Sequence, residues 1–446
     1  MFRVNKIKFH NFRNIFDSEI DLNNPKSMNN VGGTIIGIYG PNGTSKSSVG
    51  YALSLLSKLA CGFSTAFFHD FAQDFGIKDD KMSIEYEFDF DVSEGIKKID
   101  VFFEFKKNNK EEVYLSYEKI LLQQSMGSPI YYDVDRGEDA LSISVTDNQV
   151  RKLKELFNED AKNIYSRVTL AKQQKHSLLL YQPLFMKLAD KEIKNNKLNV
   201  IAEFTSYIYS KTAFIMPDSY GLSIINSLFV GYGQNDINPI EVISKNDQGI
   251  ITITEAQKER IENIVEASNA FVGKLIPDFR VKLVAEPITL SNEPKQKYKA
   301  CLFSIKNDGE FNFENESEGI KRLFFIASSI ARGTNDPNYI VFIDEIDEGI
   351  FEVLFGSVVE SINDYCKCQV IFTSHNLRPL EILDYHQFIF STMNENDRFR
   401  TLNSIGSTNN LRDVYIRKII YGDPNIEFGK YVDNMDVAEG LLNASK

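Results

Sequence analysis

The segment that most constrains this chain is Gly40-Pro41-Asn42-Gly43-Thr44-Ser45-Lys46-Ser47. Before it runs Gly33-Thr34-Ile35-Ile36-Gly37-Ile38-Tyr39, apolar enough for a central strand buried on both faces. After it, Val49, Ala52, Leu55, Leu56 and Leu59 share one helical stripe. A glycine-rich loop between a buried strand and a helix gathers backbone N–H groups into an anion nest, and the helix N-terminus adds a positive dipole. Lys46 is placed to reach the β- and γ-phosphates of a nucleotide and the Ser47 hydroxyl to ligate magnesium. Asn42, Gly43, Thr44, Ser45 and Ser48 complete the expected contacts. The position before the lysine, ordinarily glycine, is Ser45. If the backbone there has positive φ, serine costs about 1 kcal/mol, so nucleotide binding is expected and the rate of turnover stays open.

A second apolar run, residues 339–343, leads straight into Asp344-Glu345. Buried acids are costly unless a metal or hydrogen bonds compensate them. Asp344 is therefore expected in the magnesium shell, and Glu345 as the base that orients and deprotonates an attacking water. Some 20 residues earlier, Ser317 and Gly319 open a helix with the stripe Ile320, Leu323, Phe324, Ala327 and Ile330. Such a start is either an ordinary serine N-cap or a second anion site. Thr373-Ser374-His375 closes the strand at 369–372, where a histidine can meet a γ-phosphate.

The rest of the chain reads as three lobes. Residues 1–140 hold a first strand, the phosphate loop and an antiparallel meander in which Ile84, Tyr86, Phe88 and Phe90 alternate with Glu85, Glu87 and Asp89. Turns are expected at Ser93-Glu94-Gly95 and Lys107-Asn108-Asn109-Lys110. Residues 141–277 read as a helical insertion without sustained heptads; Thr254 and Gln257 form a capping-box start and Pro277 a stop. Residues 278–446 return to β/α alternation, which makes the fold class α/β. At 446 residues, two or three units are expected.

The net charge of −12 lowers the prospect of nucleic-acid binding without removing it. Lys172, Lys175, Lys187, Lys191, Lys194 and Lys197 make the insertion locally basic, as a solvated face or a partner surface. Cys61, Cys301, Cys366 and Cys368 lack zinc spacing and read as free thiols. No apolar run of 18 residues and no signal-peptide core is present, so a cytoplasmic protein without a membrane span is expected.

The order of phosphate loop, serine-glycine helix, acid pair and histidine resembles the ABC ATPase superfamily, within it the SMC/RecF/OLD-like branch. The opening Lys6-Ile7-Lys8-Phe9-His10-Asn11-Phe12-Arg13-Asn14 looks like that branch's first strand and turn, and implies that Arg13 lies near the nucleotide. The parts around residues 316–323 and 373–375 look most like bacterial AAA-family ATPases of abortive-infection and other anti-phage systems. The likeness implies an ABC/SMC-type head with a mixed sheet, ATP and Mg2+ as ligands, and a head-to-head homodimer. In that dimer Ser317 and Gly319 of one copy cap the phosphate held by Lys46 of the other.

The segment after Glu345, Ile346-Asp347-Glu348-Gly349-Ile350-Phe351, lacks the usual D-loop aspartate at its end. For the Q-loop, Gln123 and Gln124 are the available glutamines. With no nuclease constellation in the chain, an effector partner, a toxin or nuclease, is implied. Two alternatives stay open: a RecF-like DNA-repair clamp, and a nucleotide-gated scaffold without turnover.

Overall fold

In the computed structural model, residues 1–61, 75–76, 79–91, 95–107, 113–137, 145–173, 176–181, 196–216, 251–288, 296–307, 309–402, 410–422 and 434–444 are described. Their strands are β1 (Phe2–Phe12), β2 (Ile15–Asp21), β3 (Thr34–Tyr39), β4 (Lys81–Phe90), β5 (Ile96–Lys107), β6 (Val113–Gln124), β7 (Ile130–Asp135), β8 (Thr212–Ile215), β9 (Ile251–Thr254), β10 (Arg280–Ile288), β11 (Lys297–Lys306), β12 (Gly309–Asn312), β13 (Ile340–Ile343), β14 (Gln369–Thr373), β15 (Phe388–Ser391) and β16 (Phe399–Arg400). The helices are α1 (Lys46–Cys61), α2 (Asp147–Phe157), α3 (Ala161–Gln173), α4 (Asn196–Ser210), α5 (Glu255–Leu275), α6 (Glu318–Asn335), α7 (Glu352–Tyr365), α8 (Pro379–Ile382), α9 (Leu411–Tyr421) and α10 (Asn434–Ala444).

The central sheet runs β16-β15-β3-β14-β13-β8, parallel except for β16. Its inner strands are short and buried on both faces, because alternate residues feed two different cores. Ile36, Ile38, Ile340, Phe342 and Ile371 join α1, α4 and the antiparallel sheet on one side. Ile35, Tyr39, Val341, Ile343, Val370 and Phe372 join α6 and α7 on the other.

The meander is a second, antiparallel sheet, β2-β1-β4-β5-β6-β7. Its strict in–out alternation buries one face against α1 and α4. Phe204 of α4 packs edge-on against Phe2, Phe88 and Phe90, and the Tyr86 hydroxyl donates to the Ala52 carbonyl at 2.6 Å. A third sheet, β10-β11-β12 with β9 on β11, lies against α5. The expected capping box at Thr254 and Gln257 starts α5.

The segment expected as a helical insertion is not wholly helical. Thr212-Ala213-Phe214-Ile215 forms β8 and pairs in parallel with β13 at the edge of the central sheet. Four apolar residues are too few for periodicity to separate strand from helix, and the pairing partner lies more than 120 residues away. Residues 182–195 and 217–250 lie outside the described residues, as do Lys175, Lys187, Lys191 and Lys194 and parts of the turns expected at 93–95 and 107–110. Cys301, Cys366 and Cys368 are free thiols. Among the described residues no helix is long and apolar enough to cross a membrane.

Candidate nucleotide-binding site

The parallel register sets the C-terminal ends of β3, β14 and β13 in a row, the position at which open α/β sheets bind ligands. From β3 the chain enters the glycine-rich loop. Gly43 and Ser45 both take left-handed backbone, at φ 77° and 72°. Gly40 faces β15 so closely that a Cβ would stand 2.1 Å from Ser391 Oγ and 2.6 Å from its carbonyl oxygen. Thr44 Oγ1 donates to the Pro41 carbonyl at 2.7 Å and also meets Ser391 Oγ.

Lys46 begins α1, and its Nζ donates to the carbonyls of Gly40 and Pro41, each at 2.9 Å. Two of the three ammonium hydrogens thus hold the side chain along the loop. Burial pulls the Lys46 pKa down, while Asp344, Glu345 and Asp347 push it up.

Asp344 is 1% exposed directly after β13. Its Oδ1 accepts a 2.6 Å hydrogen bond from Thr373 Oγ1, and its buried Oδ2 has no hydrogen-bond partner among the described residues. Glu345 follows with φ 48°, and its N–H donates to the same Thr373 Oγ1 at 2.7 Å. One threonine at the end of β14 thereby fixes both acids of the pair. The Glu345 carboxyl is raised above the ordinary glutamate value, first by desolvation, then by Asp344 and Glu348, against Arg322.

Behind the acids lies Arg322 of α6, 1% exposed. Its Nη2 donates to the Asp344 carbonyl and its Nη1 to Glu348 Oε2 at 2.9 Å. Asp347 accepts from the backbone N–H groups of His375 at 3.3 Å and Asn376 at 3.0 Å, which pins the turn after β14. Partial burial and Lys46 hold the His375 imidazole below the ordinary histidine value.

A cavity of about 620 Å³ opens over the loop. Its wall takes in residues 42–48 together with Arg13, Glu345 and His375, so the structure brings these expected residues together. Asp344 lies beneath, tied through Thr373. Arg13 has φ 55° and its guanidinium lies 3.9 Å from the Tyr51 ring centroid, a cation–π contact with α1. Ile15, Phe16 and Phe75 add apolar surface at the same cavity.

Ser317 and Gly319 do not line it. Ser317 is the N-cap of α6 and accepts from Ile320 N–H at 3.4 Å; Gly319 packs against the backbone of Gly349. Gln123 lies within β6 and donates to Asp100, and neither it nor Gln124 reaches the cavity.

Sequence reading missed Asn14, Arg322, Asp347 and the bridging part of Thr373. All four act through contacts between segments more than 20 residues apart in the chain.

The sequence matches, over residues 35–381, the family described as "AAA domain, putative AbiEii toxin, Type IV TA system". The chain belongs to this family. No curated protein matches it in sequence. Among solved structures, it is similar to the Smc head domain of Pyrococcus furiosus crystallised with an extended coiled coil and the C-terminal domain of ScpA. Identity there is 14% and the TM-score 0.42, over 90% of this chain and 96% of that one. The SMC head of Thermotoga maritima gives 14% and 0.36, over 90% and 100%. The recombination mediator protein RecF-ATPrS of the RecFOR pathway gives 11% and 0.37, over 90% and 98%.

The donor set fits a magnesium ion held jointly with a nucleotide. Such ions take one or two carboxylates plus phosphate and water oxygens, not an all-protein cage. The buried, unpartnered Oδ2 of Asp344 is the atom such an ion would satisfy.

Proposed function

We propose that the chain binds Mg-ATP in this cavity and hydrolyses it, as the nucleotide-driven switch of a bacterial anti-phage system. The observation that carries the reading is the row of strand ends. It sets a lysine-bearing phosphate loop after β3 beside an acid pair after β13, with Thr373 of the intervening β14 holding both acids.

Backbone N–H groups of residues 43–47 and Lys46 Nζ would hold the β- and γ-phosphates. Ser47 Oγ and Asp344 Oδ2 would hold magnesium, which when bound supplies charge neutralisation on the phosphate oxygens. Glu345, at the cavity wall with its carboxyl raised above the ordinary glutamate value, would be the base that takes a proton from water. His375 borders the same space. Arg13, braced on Tyr51, would stand beside the nucleotide.

Ser317 and Gly319, at the start of α6, would act in a head-to-head homodimer, each copy capping the other's phosphates. Closure on ATP and opening on hydrolysis would then be passed to a separate toxin or nuclease effector in the cytoplasm. The family's description, which names a putative AbiEii toxin of a type IV toxin–antitoxin system, supports a toxin–antitoxin setting and leaves the effector part to be tested.

The test is Mg-ATP turnover by purified protein beside Glu345→Gln. Turnover in the wild type, lower by a factor of about 10²–10⁴ in the variant with ATP still bound, is expected. Equal, negligible hydrolysis in both would leave a nucleotide-gated scaffold. Copurification of the native protein with a toxin or nuclease supports the effector reading; DNA alone would favour a RecF-like clamp.

A further inference from the structure

The serine in the phosphate loop has a partner that explains how the loop tolerates it. Ser45 sits at φ 72°, a backbone conformation in which L side chains are strained. Its hydroxyl donates to Asn14 Oδ1 at 2.5 Å, and Asn14 Nδ2 donates to the Gly43 carbonyl at 2.6 Å. One amide side chain, from the turn between β1 and β2, therefore grips both left-handed residues of the loop.

Asn14 is itself held. The Arg398 guanidinium, 4% exposed, donates to the Asn14 carbonyl from Nε at 3.1 Å and Nη2 at 2.6 Å, and to the Thr392 carbonyl from Nη1 at 2.9 Å. The residue just past the β15 end that Thr44 and Gly40 touch is thus linked through Arg398 to the Asn14 turn. With glycine in place of Ser45 the loop would take positive φ at no cost but would lose one of its two hydrogen bonds to Asn14.

We infer that Asn14 and Ser45 act as a pair, a clamp that preorganises the phosphate nest, with Asn14 as the positioning residue and Ser45 as its handle. The inference rests on the Mg-ATP reading only for its functional consequence; the clamp itself is a property of the loop. Its effect is on binding, because the tether fixes the direction of the N–H groups of residues 43–46 before the nucleotide arrives. Preorganisation of this kind lowers the cost of binding.

Three variants separate the clamp from simple loop strain. Asn14→Ala removes the grip, and since Asn14 is exposed the protein keeps its fold and thermal midpoint. Ser45→Ala removes the handle but keeps the strained Cβ. Ser45→Gly removes both handle and strain.

The expected result is an Mg-ATP Kd weakened roughly 3–10-fold in Ser45→Ala, the worth of one lost hydrogen bond, and at least as much in Asn14→Ala, which loses two. Ser45→Gly is expected nearer to wild type than Ser45→Ala. In the Ser45→Gly background, Asn14→Ala is expected to cost less than in the wild type.

Amide hydrogen exchange of residues 40–47 in nucleotide-free protein gives an independent readout and should rise in Asn14→Ala and Ser45→Ala. If wild type fails to bind Mg-ATP while exchange responds, the ATP reading falls and the clamp stands. If wild type binds Mg-ATP and neither affinity nor exchange changes in these two variants, the clamp is overturned. Fully additive effects of Asn14→Ala and Ser45→Gly would overturn the pairing.

Discussion

Replacing Thr373 by valine removes one oxygen and nearly nothing else, yet that oxygen serves both acids of the site. Thr373 is 1% exposed, donates to Asp344 Oδ1 at 2.6 Å and accepts from Glu345 N–H at 2.7 Å. Valine keeps the branched shape and leaves a carboxylate oxygen and a backbone N–H without partners. Each buried group left unsatisfied costs about 1–3 kcal/mol, so Thr373→Val should destabilise the protein by about 2–6 kcal/mol. Asp344 would then have neither oxygen hydrogen-bonded, and the left-handed Glu345 would lose its backbone anchor. Turnover should therefore fall by about tenfold or more at saturating Mg-ATP, given the sensitivity of catalysis to small misplacements. Urea unfolding followed by circular dichroism measures the first effect and a coupled phosphate-release assay the second. Thr373→Ser, which keeps the hydroxyl, should recover most of both. A Thr373→Val protein within about 0.5 kcal/mol of wild type and with unchanged kcat would refute the bridging role.

The raised Glu345 carboxyl has a pH signature: the acid limb of kcat should lie above the ordinary glutamate value, with turnover lost as pH falls through it. The same shift means that the folded state binds more protons than the unfolded one between the ordinary and the raised value. Stability then decreases as pH rises through that window, and Glu345→Gln should unfold at a higher temperature than wild type at neutral pH, as calorimetry would show. At Gly319, an added Cβ would stand 2.1 Å from the Gly349 carbonyl oxygen, so Gly319→Ala must push α6 away from the turn behind the acid pair. About 1–3 kcal/mol of stability should go with it, read by urea unfolding, together with part of the turnover. Far from the cavity, the buried Glu118–Arg136 pair also receives the Leu178 N–H at 2.9 Å and the Ser177 hydroxyl. Glu118→Ala leaves Arg136 charged and buried, and should cost about 3–5 kcal/mol on denaturant unfolding while Mg-ATP affinity holds.

What could be read from the sequence was whatever is local. The strand–loop–helix around Lys46 and the apolar run into Asp344-Glu345 announce themselves because burial on both faces forces unbroken hydrophobicity. The Ser317 cap and the Thr254–Gln257 box are likewise short-range hydrogen-bond patterns, and both are present. Residues that act across the sheet were illegible. Thr373 reaches Asp344 across 29 positions, Arg322 reaches the Asp344 carbonyl across 22, and Asn14 reaches Ser45 across 31. These contacts exist because β14 lies beside β13, because α6 packs behind β13, and because the β1–β2 turn folds over the loop. The candidate Q-loop glutamines lie away from the cavity because β6 runs on to Gln124, and Gln123 there donates to Asp100 of the neighbouring strand.

Isothermal titration of purified wild-type, Lys46→Ala and Asp344→Asn proteins with ATP, with and without magnesium, addresses the convergence of loop and acid pair most directly. Saturable binding by the wild type in the range of about 1 μM to 1 mM is expected, weaker by about tenfold or more in Lys46→Ala. The magnesium-dependent part of that affinity should vanish in Asp344→Asn. No binding by the wild type at millimolar Mg-ATP, or the same affinity in all three proteins, would contradict it.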